Sequence, residues 1–108
     1  MDKTDTPQAA LELLILKTLA RGANHGFGIV LHIQESSVDL LRVEEGSLYP
    51  ALHRLEKAGF IQAEWQITQK GRKARVYDLT RSGRQRLKKI EQSWTTMTEG
   101  VRRVLQCA

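Results

Sequence analysis

Cysteine is nearly missing from this chain: Cys107 is the only one in 108 residues. A single thiol cannot close an internal disulfide, which excludes a cystine-stapled secreted scaffold and points to a reducing, cytoplasmic setting. Long apolar runs are missing too. The stretch LELLILKTLA falls well short of the ~18 residues of a membrane span. It also lacks the small-residue cleavage site that follows a secretory signal. Metal-ligand spacing is absent, because His25, His32 and His53 form no pattern with Cys107 or a carboxylate cluster, and no cofactor is expected. The Gly26–Gly28 pair has neither the preceding strand nor the third glycine of a nucleotide loop and reads as a turn. No Ser–His–Asp ordering stands out, and Cys107 has no neighbour that would activate a thiol. An enzyme is therefore not expected.

Acidic residues are missing locally. From Thr68 to Lys89 there are nine bases against one acid, Asp78, a net of +8, which leaves −3 for the rest of a chain whose total is +5. The basicity is a patch, and so uneven a split favours a polyanionic partner over a merely solvated face. What is present is otherwise ordinary for a folded protein, with 41% apolar and 27% charged residues. At this length the chain is one small domain whose core is marginal without a partner chain.

Residues 1–7 are polar and expected to fray. QAALELLILKTLA, residues 8–20, predicts a helix that is apolar nearly all round: Leu11, Leu14, Ile15, Thr18 and Leu19 on one side, Leu13, Leu16 and Ala20 on another. Such a helix must be buried nearly all round, which suggests its own core on one face and a second subunit on the other. A second helix spans about Phe27 to Ser36, with Phe27, Val30 and Ile33 inward. In GSLYPALHRLEKAGFI, residues 46–61, Leu48, Leu52 and Leu55 recur at helical spacing, while Ser47, Tyr49, Pro50, His53, Arg54 and Lys57 occupy the other side. This third helix starts either at a Ser47 cap, with Pro50 in its first turn, or near Glu44, with Pro50 bending it; it ends at Gly59.

The period then changes from helical to alternating. Ile61, Ala63, Trp65 and Ile67 alternate with Gln62, Glu64 and Gln66, as a half-buried strand does. TQKGRK reads as a hairpin tip and ARVYDL, residues 74–79, as the returning strand. The architecture is mainly α with a two-stranded β-hairpin, a winged helix-turn-helix over residues 1–80. In that arrangement Ser47, Tyr49, His53, Arg54 and Lys57 face DNA, with Arg54 suited to guanine or to a phosphate and Ser47 and Tyr49 to the backbone. Lys70, Arg72, Lys73 and Arg75 on the wing neutralise phosphates.

Residues 81–108 complete the pattern as a long C-terminal dimerisation helix, capped by Thr80. Leu87, Ile90, Trp94, Met97, Val101 and Val104 follow at steps of 3, 4, 3, 4 and 3, a heptad seam. With Leu13 and Leu16 of the two-faced first helix they form the expected dimer interface. A homodimer suits a pseudo-palindromic site. Trp94 is the only aromatic on the seam; across a twofold axis two such rings either fill the dimer core or wall a flat slot for a planar aromatic ligand.

Three stretches, LELLILKTLARGANHGFGI, VEEGSLYPALHRLEKAGFIQAEW and GRKARVYDLTRSGRQRL, resemble the PadR-like transcriptional regulators over nearly the whole chain. The resemblance implies a dimeric winged helix-turn-helix repressor of the short-tailed branch. Its third helix reads DNA, its terminal helix dimerises, and Ser47 and Tyr49 lie near the DNA backbone. Many members of the family are released from DNA by a small molecule, but their ligands differ and the resemblance names none here. The rival class is a winged protein-interaction module that never touches DNA, since fold alone does not decide function. The basic wing with Arg54 and Lys57 separates the two in favour of DNA.

Overall fold

A computed structural model of the chain describes residues 4–107. The elements are β1 (Thr4–Asp5), α1 (Gln8–Ala20), β2 (Asn24–His25), α2 (Gly26–Ser36), β3 (Leu41–Arg42), α3 (Glu45–Lys57), β4 (Ile61–Ile67), β5 (Lys73–Leu79) and α4 (Arg81–Gln106). The chain is mainly helical, and the hairpin gains a third short strand in the order β2-β5-β4. β1 pairs in parallel with β3, so the expected fraying does not extend to Thr4–Asp5. Residues 1–3 lie outside the described residues.

α1 is the centre of the fold. Leu11, Ile15, Leu16 and Leu19 are fully buried, each contributing about 1.5–3 kcal/mol of apolar transfer. Thr18, also buried, donates its hydroxyl to the Leu14 carbonyl at 2.7 Å, so its polar atom is satisfied inside the helix. On the second apolar side of α1, Leu16 is fully buried while Leu13 and Ala20 are partly buried. The first turns of α4 from the same chain pack against α1, with Leu87 buried and Ile90 on the core. Two ion pairs bracket this contact, Arg86 to Glu12 at 3.3 Å and Lys17 to Glu91 at 2.8 Å. Both are largely exposed and contribute at most about 1 kcal/mol each; their use is register.

α2 begins one residue earlier than the apolar pattern suggests, because His25 caps it: Nδ1 accepts from the Gly28 amide at 3.0 Å. That start turns Phe27 outward, 63% exposed, and gives the core to Ile29 and Ile33. The expectation that Phe27 points inward is corrected accordingly.

α3 begins at Glu45, which decides between the two sequence alternatives: Ser47 lies inside the first turn and Pro50 within the helix. Pro50 has no amide to give the Gly46 carbonyl, and both residues are exposed, so that carbonyl is open to water. The helix closes in a Schellman turn. The Phe60 amide donates to Leu55 O and the Gly59 amide to Glu56 O, each at 3.0 Å, and Gly59 takes the left-handed φ of +82° this requires.

The same corner anchors α4. Thr80 Oγ1 accepts from the Gly83 amide at 3.0 Å, the expected cap, and donates to Gly59 O at 2.6 Å; Ser82 Oγ donates to the same carbonyl at 2.9 Å. Gly83 is buried so closely here that a Cβ would collide with the Phe60 carbonyl oxygen and meet Leu79 at 3.1 Å. Backbone cannot swing aside as a side chain does. Gly83→Ala should therefore lower stability by about 1–3 kcal/mol, read as a lower urea midpoint with unchanged slope. An unaltered midpoint would show that the corner is loose.

Past Ile90, α4 leaves the domain. The radius of gyration of 15.2 Å exceeds the roughly 13 Å expected for a compact chain of this length, and the long dimension is 56 Å. Met97 and Val101 are about half exposed, and Val104 and Leu105 are 73% exposed. Among the described residues no helix is long and apolar enough to cross a membrane.

Candidate nucleic-acid interface

Leu48, Ala51, Leu52 and Leu55 seat α3 on the core, each at most 4% exposed. Helical periodicity then sends His53 and Lys57 to the opposite, outer side. The flanks diverge. Tyr49 turns toward the wing, its hydroxyl close over Gly26, whereas Arg54 lines a shallow depression with Gln8 and Glu12 of α1. Ser47 shares the Arg54 flank on the helical wheel and is exposed. The six-residue polar side expected from sequence is thus one outer strip with two flanks that look in different directions.

The wing is built by strict register. Ile61 pairs with Leu79, Ala63 with Tyr77, Trp65 with Arg75 and Ile67 with Lys73, so these eight side chains share one face. Gln62, Glu64, Gln66, Ala74, Val76 and Asp78 share the other. The first face starts in the core, with Ile61 at 2% exposure, and runs out beyond it. Trp65 is 63% and Ile67 75% exposed, so only half of the strand expected to be half-buried has anything to pack on. Gly71 turns the tip with φ of +77°.

Lys70, Arg72 and Lys73 project from this tip and, with Lys57 and Arg54 on α3, have no acidic partner among the described residues. Arg75 differs. Its guanidinium donates to Glu56 of α3 at 2.7 Å and stands 5.7 Å from the Trp65 ring centre. Arg75 braces the wing against α3, with its side chain still 37% exposed at the trough. Beneath it burial pushes the Tyr77 phenol above its ordinary range, an effect the neighbouring Arg75 partly opposes.

Between the wing and the starts of α2 and α3 lies a trough of about 610 Å³, lined by His25, Phe27, Tyr49, Trp65 and the wing cations. Sequence reasoning passed over Phe27 and Trp65 because apolar residues in an amphipathic pattern are assigned to the core by default. The register of the hairpin gives the face of Trp65, but not how far the domain reaches beneath it.

The dimer residues separate in the same way. Leu16, fully buried, and Leu87, 7% exposed, are packed inside the chain. Leu13 and Ile90 are partly buried against the core. Trp94 is half-buried, and Met97, Val101 and Val104 are open. Beside them Arg102 and then Arg103 hold the Glu99 carboxyl below the usual carboxylate range.

α2, α3 and α4 packed on α1, the outward-facing polar side of α3 and a cation-tipped hairpin define a winged helix-turn-helix. Residues 15–89 match the Transcriptional regulator PadR-like family. The chain belongs to that family of transcriptional regulators. It is 42% identical over 77 residues to the transcriptional regulator Rv3488 of Mycobacterium tuberculosis, covering 71% of this chain and 68% of that protein. Its structure is similar to that of smu.1704 from Streptococcus mutans UA159, with a TM-score of 0.84 and 27% identity over 95% of this chain and 92% of that one. A PadR-like regulator from Bacillus cereus ATCC 14579 gives a TM-score of 0.75 and 28% identity, over 89% and 91% of the two chains.

Proposed function

We propose that this chain is a homodimeric, sequence-specific repressor acting in the cytoplasm. On this reading α3 enters the major groove at each half of a pseudo-palindromic operator and the wing lies on the flanking backbone. The observation that carries it is the trough beside α3: Lys70, Arg72 and Lys73 line it and no carboxylate does. His53 and Lys57 lie on the outer strip that meets base edges, Ser47 and Tyr49 suit phosphate or sugar, and Arg54 takes guanine or a phosphate from its flank. The dimer forms through Trp94, Met97, Val101 and Val104, with Leu13 and Ile90 at its margin, because an uncovered seam of this length is not left to water.

Titration of random duplex at two salt concentrations, followed by sequencing of the fragments the protein retains, tests this reading. Retention that falls steeply with salt and enriches an inverted repeat supports it. No retention at low salt would return the fold to the class of protein-interaction modules.

The regulatory part of the proposal is a slot between paired Trp94 rings that takes a planar aromatic effector. Such a ligand releases DNA only by favouring one subunit spacing over another, since equal affinity for both shifts nothing. In a Trp65→Phe background, where Trp94 reports alone, planar aromatics should quench its fluorescence saturably and lower DNA affinity together. Absence of quenching, or quenching that leaves DNA binding untouched, makes Trp94 a plain core residue of the dimer.

A further inference from the structure

Four of the six aromatic residues of the chain, Phe27, Tyr49, Trp65 and Tyr77, line the one trough that also carries the wing cations. Three of them are well exposed, Phe27 and Trp65 at 63% and Tyr49 at 50%. Phosphate neutralisation needs none of these rings, and apolar surface of this kind on a solvated face marks a contact. Phe27 lies parallel to the His25 ring, 6.5 Å between centres, and His25 is fixed as the cap of α2. Trp65 is held by its strand register opposite Arg75.

The partner must offer negative charge at the rim and apolar surface within reach of the rings. A protein partner rich in acids would supply the first without the second at regular spacing. A strand of duplex DNA supplies both, as phosphates alternate with deoxyribose. We propose that the trough seats one sugar-phosphate strand, with Trp65 and Phe27 packed on deoxyribose and Lys70, Arg72 and Lys73 on the flanking phosphates. This deepens the DNA-binding reading above and rests on it. Trp65 and Phe27 are then positioning residues: they fix the depth at which α3 enters the groove without reading a base.

The two kinds of contact separate by salt. Removing a phosphate contact lowers the slope of log affinity against log salt; removing an apolar contact lowers affinity and leaves the slope alone. Trp65→Ala and Phe27→Ala should each weaken binding to random duplex about tenfold with the wild-type slope. Lys70→Ala should reduce the slope. Because Trp65 touches Arg75, Phe27→Ala is the cleaner variant, and thermal melting should find both folded, as each ring is mostly exposed. In a Trp94→Phe background, duplex should also shield Trp65 emission from acrylamide. Wild-type affinity in both ring variants, or a slope that falls as it does for Lys70→Ala, overturns the trough assignment. Failure of the wild-type protein to bind any duplex overturns the DNA-binding reading itself, a distinct result.

Discussion

Replacing Lys70, Arg72 and Lys73 together with alanine should lower affinity for every duplex by roughly a thousandfold at moderate salt. The three side chains are exposed and have no acidic partner among the described residues, so nothing in the fold is lost with them. In a dimer the change removes six cations, and the slope of log affinity against log salt should fall by about 5. The loss should be alike for operator and random sequence, because phosphates carry no sequence information. Adding Arg75→Ala should cost stability as well, since its guanidinium holds Glu56 and the wing to α3. Unchanged affinity of the triple variant at moderate salt would remove the wing from the interface.

The second large effect comes from dividing α4. Deleting residues 81–108 strips Leu87, Ile90 and Gly83 from the core. Loss of two such aliphatic side chains costs about 2–5 kcal/mol each, against a total stability of about 5–15 kcal/mol for a domain. The product should be unfolded or aggregated. Deleting only residues 94–108 keeps those contacts and removes the open seam. That shorter truncation should be a folded monomer by light scattering, with weak binding to paired half-sites. A monomeric, well-dispersed protein lacking all of 81–108 would show that α4 contributes little to the core. A dimer lacking 94–108 would move the interface off the seam.

Much of the architecture was legible because local chemistry and periodicity agree. The helical pattern of residues 8–20 coincides with α1. Thr80 caps α4, Gly59 ends α3 and Gly71 turns the hairpin, since a short hydroxyl or a residue tolerant of positive φ does the same thing in any context. The starting point of α3 was not legible: Ser47 is a good N-cap that would leave Pro50 in the first turn, yet the helix begins earlier and carries Pro50 in its interior. The structure starts it at Glu45, with Glu44 at the N-cap position.

By itself the sequence determined the order of the four helices and the hairpin, the basic patch and the apolar stripes of α1, α3 and β4. It also determined which face of β4 carries Trp65 and which face of α4 carries Trp94. The short strands β1, β2 and β3 and the outward turn of Phe27 were not legible in the sequence. Only the tertiary structure decided how far each stripe is covered. Leu16 and Leu87 carry the same pattern as Val101 and Val104, yet the first pair is sealed between α1 and α4 while the second stands in water. Trp65 and Ile67 continue the stripe of Ile61, yet the domain ends beneath Ala63. Arg75 belongs to the wing cations by sequence and to Glu56 by geometry. Periodicity is a property of one element, whereas burial and pairing depend on the length and placement of its neighbours, and those are set by the whole chain at once.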